Sequence, residues 1–205
     1  MHGRSSEKAE ELIRELDGLN SLQNEFVICD LNEVGKVNQV FGKVKQLDIL
    51  VNNAGVWLEG DTIDASPEKI LELVNVNLAS YLLVFRAVLP VLLESEFAQV
   101  LNVVSKAGYE VPEGDFYSVY SATKYGLQGF TEATVKEFYN KNLRVMGFYP
   151  GGMETKIFKK AGNEYNEKEP WMFDPQESVD AMMFMLTRNP KVNVKRMDIV
   201  NHLAR

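Results

Sequence analysis

The chain has 205 residues, of which 45% are hydrophobic and 25% charged, enough for one globular domain with a sizeable core. Its formal net charge of −7 argues against a nucleic-acid-binding surface, and its single cysteine excludes an intramolecular disulfide. The two histidines lie at opposite ends, so no cluster has zinc-site spacing, and no metal is expected. The start of the chain lacks a signal-peptide core, and the longest apolar stretch, residues 81–93, is too short to span a bilayer. We therefore expect a cytoplasmic protein without a membrane partner.

Helical and strand-like patterns alternate along the whole chain. Apolar residues at helical spacing predict helices, and short apolar runs predict strands that are covered on both faces. In chain order the predicted elements are a helix ending near residue 19, a strand at 26–30, a helix at 34–44, a strand at 48–53, a long helix at 66–93, a strand at 99–105, a helix at 117–140, a strand at 143–149, a helix at 174–186 and a strand at 196–200. The charged, irregular stretch 153–173 is predicted to form a lid.

This alternation predicts βαβ units, and hence a Rossmann-like, doubly wound parallel sheet with helices on both faces, in a single domain over residues 1–205. In such sheets, ligands bind beyond the carboxyl ends of the strands. Asp30, residues 52–55, Ser105 and residues 150–152 all fall at predicted strand ends, so one crevice is expected to gather them. The Asn-Asn-Ala-Gly run at 52–55 is by itself either a tight turn or a ligand site.

Tyr120 and Lys124 are four residues apart in a predicted helix and therefore face the same side. An ammonium beside a phenol lowers a pKa that is ordinarily near 10, which makes a tyrosine a usable proton donor and acceptor. The hydroxyl of Ser105 can hydrogen-bond a carbonyl oxygen, and Asn77 in an apolar helix needs a buried partner or anchors a water. Taken singly, these residues have ordinary interpretations as helix surface, turn cap and buried hydrogen bond.

The order of these motifs resembles the classical short-chain dehydrogenase/reductase family. Residues 52–55 follow a strand, Asn77 lies in the next helix, Ser105 precedes Tyr120-Ser-Ala-Thr-Lys124 by fifteen residues, and Pro150-Gly151 is followed by Thr155. The resemblance extends over essentially the whole chain, from about Gly3 to the last strand.

The resemblance implies hydride transfer between a nicotinamide dinucleotide, NADP in preference to NAD, and a carbonyl or alcohol substrate. It implies that Tyr120 is the acid/base, that Lys124 lowers its pKa and binds the ribose, that Ser105 polarises the carbonyl, and that Asn77 holds a water. Asp30 matches the position that contacts the adenine amine, and Arg4 matches a basic residue that pairs with a 2′-phosphate, although Arg4 is also compatible with a solvated helix start. The implied cofactor-binding residues are Arg4, Asp30, Leu31, Asn52, Asn53, Ala54, Gly55, Tyr120, Lys124, Pro150, Gly151, Met153 and Thr155.

The family's Gly-rich fingerprint is missing, because no Gly-x-x-x-Gly-x-Gly occurs near the start of the chain. Pyrophosphate binds at that turn, so we expect weak dinucleotide binding and little or no activity in the 205-residue form. In the family, strands from this unit separate those at 26–30 and 48–53. Without them these two strands are expected either to pair directly or to leave an open edge. The pattern favours an incomplete reading frame or a truncated chain over natural design.

Two alternatives to a dehydrogenase of small carbonyl compounds remain. One is a non-catalytic, cofactor-free oligomer. Family members commonly form homodimers or homotetramers through the helices matching residues 66–93 and 117–140. The other is a 3-oxoacyl-carrier-protein reductase, although the charge of −7 repels an acidic carrier, and only Lys156, Lys159 and Lys160 offer a local basic patch. Candidates for an apolar substrate pocket are Trp57, Tyr109, Val111, Ile157, Phe158, Trp171 and Phe173.

Overall fold

The computed structural model describes residues 1–19, 24–111, 116–166 and 168–204. Its β-strands are β1 (His2–Gly3), β2 (Val27–Ile28), β3 (Ile49–Asn52), β4 (Gln99–Val103), β5 (Arg144–Pro150) and β6 (Arg196–Ile199). Its α-helices are α1 (Ser6–Leu19), α2 (Val34–Phe41), α3 (Pro67–Val74), α4 (Ser80–Glu94), α5 (Ser118–Glu137), α6 (Ile157–Lys160) and α7 (Pro175–Leu186). Short 3₁₀ turns follow β3 at Thr62–Asp64 and β4 at Lys106–Gly108.

All pairs of strands are parallel, which confirms the predicted Rossmann-like α/β fold. The strands form two sheets, one in the order β1–β2 and the other in the order β3–β4–β5–β6. Of the two arrangements expected from the sequence, the structure adopts the one with an open edge: β2 is not paired with β3, and β3 is the edge strand of the larger sheet. On β3 the side chains of Ile49 and Val51 remain 40% and 43% exposed.

The centre of the larger sheet is buried on both faces. Along β4, Val100 packs with α4 and the end of α5, whereas the next residue, Leu101, packs with Met185 of α7 on the opposite face. Both strand residues are fully buried, as are Met146 and Phe148 of β5. This packing explains why these strands have continuous apolar sequences, since each of their faces is covered by helices.

The predicted long helix at 66–93 is confirmed, with one irregularity. Ser66 caps it by accepting a hydrogen bond from the Lys69 backbone, and a π-helical turn at Asn75–Ala79 joins α3 to α4. The combined helix Pro67–Glu94 has 28 residues and a mean hydropathy of 1.9 in its most apolar part, so by length and composition it is capable of crossing a bilayer. Val88 and Leu92 of this helix are buried against the sheet, as expected for a core helix.

Candidate active site

The carboxyl ends of β3, β4 and β5 open into a cavity of about 700 Å³, which α5 and the segment 153–171 also enclose. This is the edge of the sheet at which the sequence predicted a ligand crevice. The cavity brings together ten of the predicted site residues: Asn53, Ala54, Gly55, Ser105, Tyr120, Lys124, Pro150, Gly151, Met153 and Thr155.

Five predicted site residues do not line this cavity. Arg4 is exposed just after β1, and Asp30 lies after β2, where its carboxylate accepts a hydrogen bond from the Asn32 backbone at 2.9 Å. Leu31 is buried in an apolar cluster with Val37. The other two, Asn52 and Asn77, are buried behind the cavity wall.

Asn52 braces the strand ends from within the core. Its Nδ2 donates to Oδ1 of Asn102 at 2.9 Å, and Nδ2 of Asn102 donates to Oγ1 of Thr131 at 3.0 Å. All three side chains are buried, so this chain of hydrogen bonds links β3, β4 and α5 without reaching the cavity. Tyr81 supports the same region, because its hydroxyl donates to the Ala54 carbonyl at 2.7 Å. The sequence analysis did not identify Tyr81; the one feature that could have pointed to it is a hydroxyl group in an otherwise apolar helix, which needs a hydrogen-bond partner when buried.

Tyr120 and Ser105 meet at the cavity wall. Tyr120 lies near the start of α5 and is 7% exposed, and its phenol interacts with the Ser105 hydroxyl just after β4. Ser105 also accepts a hydrogen bond from the Ala107 backbone at 3.2 Å, which fixes its position at the start of the 3₁₀ turn. Burial raises the pKa of Tyr120 to about 12, although the hydrogen bond from Ser105 acts in the opposite direction. At neutral pH the phenol therefore carries its proton.

Lys124 lies one helical turn after Tyr120, as predicted, and is 4% exposed. Its Nζ donates to the Val103 carbonyl at 3.1 Å and lies 5.7 Å from the centroid of the Tyr120 ring. Burial lowers the pKa of Lys124 to about 7. The expected lowering of the Tyr120 pKa by Lys124 is not found in this structure. The reason is that burial disfavours the charged form of both groups.

Asn77 is fully buried within the π-helical turn. Its Oδ1 accepts from the Val56 N–H at 2.8 Å, and its Nδ2 donates to the Val56 carbonyl at 2.9 Å and to Oγ1 of Thr123 at 3.5 Å. The side chain thus fastens the loop after β3 to α5. This satisfies the buried amide that the sequence showed to need a partner, and it holds the cavity wall beside Tyr120 in place.

One side of the cavity is aromatic. Of the seven sequence candidates, the structure places Trp57, Ile157, Phe158 and Trp171 on the cavity wall, together with Tyr117, Glu59 and Tyr165, which the sequence did not single out. Tyr109 instead packs against Arg196, whose guanidinium carbon lies 4.1 Å from the centroid of the Tyr109 ring. Within the described residues no group of three or more His, Cys, Asp or Glu side chains is placed to hold a metal ion.

Comparison with known proteins connects this geometry to one family. Residues 1–166 match the family model described as short chain dehydrogenase. The chain is 31% identical over 196 residues to the NADP-dependent 3-hydroxy acid dehydrogenase of Schizosaccharomyces pombe, covering 89% of this chain and 74% of that protein. It is 28% identical over 201 residues to an uncharacterized oxidoreductase of Staphylococcus aureus, covering 96% and 83% respectively.

Solved structures share the fold. An alcohol dehydrogenase from the archaeon Thermococcus sibiricus, complexed with 5-hydroxy-NADP, superimposes with a TM-score of 0.88 at 20% identity, covering 100% of this chain and 86% of that one. A short-chain dehydrogenase from Sphingobium yanoikuyae in complex with NADPH gives a TM-score of 0.84 at 22% identity, covering 98% and 77%.

Proposed function

The chain belongs to the short-chain dehydrogenase family, and from this premise we propose that it reduces a small carbonyl compound to an alcohol with NADPH. The neighbouring side chains of Tyr120 and Ser105 at the cavity wall carry this proposal. The choice of NADP is supported by the name of the Schizosaccharomyces pombe relative and by the NADP-type ligands of the two structural neighbours.

The residues at the cavity suit a carbonyl group. The Ser105 hydroxyl is placed to donate a hydrogen bond to the carbonyl oxygen, which orients it toward the phenol. Tyr120, protonated at neutral pH because of its burial, then delivers its proton to that oxygen. The neutral phenol is the form of Tyr120 that acts as proton donor in the reduction. Lys124, whose pKa of about 7 lets it gain and lose a proton near neutral pH, is the group we propose to replace that proton.

The cavity also fits the nicotinamide half of the cofactor, which when bound supplies the hydride. The Lys124 amine and the Thr155 hydroxyl are hydrogen-bonding groups suited to a ribose and a carboxamide, and Gly151 lets the ligand approach the end of β5. Ala54 is held in place by Tyr81 and forms the opposite wall. These residues are the ones we propose to bind the nicotinamide riboside.

The adenosine half is proposed to contact Arg4 and Asp30, with the 2′-phosphate on Arg4. Arg4 follows β1 and Asp30 follows β2 of the two-stranded sheet, and both residues lie outside the cavity wall. We therefore expect the 205-residue chain to hold the dinucleotide weakly and to turn over slowly. Titration of NADPH fluorescence tests this expectation, and tight saturation at stoichiometric cofactor would contradict it.

Replacement of Tyr120 by Phe tests the reductase proposal, with Tyr125→Phe as a matched control. Tyr125 lies on the same helix but is 46% exposed. Consumption of NADPH is followed at high protein concentration with a panel of ketones. We expect Tyr120→Phe to lower the rate by roughly 10²–10⁴-fold, since it removes the proton donor, and Tyr125→Phe to leave the rate unchanged. Equal rates in the two variants would contradict the assignment.

The helices at residues 66–93 and 117–140 are proposed to join copies of the chain into a homo-oligomer. On the first of them, Leu71, Leu82 and Leu93 are 60%, 36% and 41% exposed, which leaves apolar surface for a partner. Light scattering over a range of concentrations tests this proposal. A monomeric mass throughout that range would contradict it.

A further inference from the structure

Five aromatic side chains form one continuous surface of the cavity, which we call the aromatic wall: Trp57, Tyr117, Phe158, Tyr165 and Trp171. The ring centroid of Trp57 lies 5.1 Å from that of Tyr117 and 5.1 Å from that of Phe158. Phe158 in turn lies 5.4 Å from Trp171 and 5.5 Å from Tyr165, with its ring nearly perpendicular to both. The wall therefore joins the loop after β3 to the segment around α6.

The aromatic wall begins directly beside the proposed proton donor. The ring of Trp57 lies 4.4 Å from the ring of Tyr120, centroid to centroid. When a carbonyl oxygen contacts Tyr120 and Ser105, the substituent on the carbonyl carbon is therefore placed next to Trp57 and Phe158. The shape and aromatic character of the wall therefore determine which substituents on the carbonyl carbon bind well.

Glu59 holds the two halves of the wall together. Its Oε2 accepts hydrogen bonds from Nε1 of Trp57 at 3.2 Å and from Nδ2 of Asn163 at 3.0 Å, and its Oε1 accepts one from the Tyr165 hydroxyl at 2.6 Å. One carboxylate thus fixes a tryptophan from the loop after β3 and two residues more than a hundred positions later in the chain. These bonds set the position of the wall relative to Tyr120.

The backbone on each side of the wall is also fixed. Val56, next to Trp57, is held by Asn77. Trp171 packs directly on the backbone of Gly152, where a Cβ atom would lie 2.1 Å from its ring. Nδ2 of Asn201 donates to the carbonyls of Pro170 and Met172, on either side of Trp171, at 3.0 and 2.6 Å. The wall is therefore built into the fold on both sides.

The charged side chains of the cavity do not interrupt the aromatic wall. Glu59 is hydrogen-bonded within the wall, whereas Lys106 is paired with Glu110 at 3.5 Å and Lys156 and Lys160 are exposed. Aromatic faces and edges bind flat, uncharged rings favourably. Given the reductase activity proposed above, we infer that the aromatic wall selects aromatic carbonyl compounds and that Glu59 is the positioning residue that holds the wall in place.

Ligand binding can be measured without any turnover, because the only two tryptophans of the chain, Trp57 and Trp171, both belong to the wall. Tryptophan fluorescence is titrated with 4-phenyl-2-butanone, with 4-cyclohexyl-2-butanone as a neutral non-aromatic analogue, and with 4-oxopentanoate as an anion, with and without NADP⁺. We expect saturable quenching in the order phenyl, cyclohexyl, oxopentanoate, with at least ~10-fold between the first and the last. Equal binding of the phenyl and cyclohexyl ketones, or tighter binding of the anion, would overturn the inference.

Variants of Glu59 test its positioning role, with Glu164→Ala as the control, because Glu164 is an exposed carboxylate between Asn163 and Tyr165, the two partners of Glu59 after α6. Glu59→Ala is expected to weaken binding of 4-phenyl-2-butanone by about 10-fold while changing that of 2-butanone less than about 2-fold. Glu59→Gln is expected to restore most of the loss, since the amide oxygen still accepts from Trp57 and Asn163 while the amide NH2 donates to the Tyr165 hydroxyl oxygen. A uniform loss for both ketones, or no loss at all, would refute the role, and circular dichroism verifies that each variant is folded.

The outcome for the wall is separable from the outcome for the reductase. Preferential binding of the phenyl ketone without consumption of NADPH would support the wall and refute the proposed function. Consumption of NADPH without preference for an aromatic ketone would support the proposed reductase function and refute the role of the wall.

Discussion

The buried Lys124 makes a quantitative prediction about stability. In the unfolded chain its amine keeps its proton up to the ordinary pKa of 10.5, whereas in the folded chain burial lowers the pKa to about 7. Between these values the unfolded state binds more protons, so raising the pH stabilises the folded state. The linkage relation gives a gain of roughly 2 kcal/mol between pH 7 and pH 9, with a limiting slope of ~1.4 kcal/mol per pH unit.

The measurement compares wild type with Lys124→Met, which keeps an apolar chain of similar length but cannot titrate. Urea unfolding at pH 7, 8 and 9 and constant ionic strength gives the free energy of unfolding of each protein. The difference between the two is expected to shift in favour of wild type as the pH rises, because contributions of all other groups cancel. A difference that is constant with pH would show that the amine is not perturbed by burial, and a shift in favour of Lys124→Met would contradict the sign.

Two further stability predictions follow from the contacts around the site. Asn77→Ala leaves the Val56 N–H and carbonyl without their side-chain partner and is expected to lower the free energy of unfolding by ~2–4 kcal/mol. Asn75→Ala in the same turn removes only a solvent-exposed hydrogen bond to Asn32 and is expected to cost less than ~1 kcal/mol in urea unfolding. Gly108→Ala places a Cβ 2.9 Å from the Lys124 carbonyl oxygen and is expected to cost ~1–3 kcal/mol, whereas Gly129→Ala, an open position on α5, stabilises by ~0.5–1 kcal/mol. Equal effects in either pair of thermal melts would contradict the packing described.

Local patterns were sufficient to predict the elements and the edge of the sheet where the site lies. The apolar runs containing Val100 and Val145 belong to strands buried on both faces, and parallel pairing brings their carboxyl ends together. The spacing of Tyr120 and Lys124 placed both at one wall because α5 is regular there. Periodicity thus suffices wherever neighbouring residues in sequence decide the geometry.

The features that sequence reasoning missed depend on distant contacts. Glu59 is a single acidic residue in a loop, and its partners Asn163 and Tyr165 lie more than a hundred positions away, so no local pattern marks it. The expected lowering of the Tyr120 pKa illustrates the same limit. The sequence shows an ammonium one helical turn from the phenol, but only the packed structure shows that Tyr120 is buried and that burial raises its pKa.

The most direct measurement of the central claim follows a label from cofactor to product. Wild-type protein and Tyr120→Phe are incubated with NADPH carrying deuterium at the nicotinamide C4 position and with a ketone, and the alcohol is examined by mass spectrometry. Because product accumulates, even slow turnover is detected. We expect deuterium on the carbinol carbon with wild type and at least ~100-fold less with Tyr120→Phe. No labelled alcohol with wild type, or equal labelling by both proteins, would contradict a reductase in which Tyr120 donates the proton.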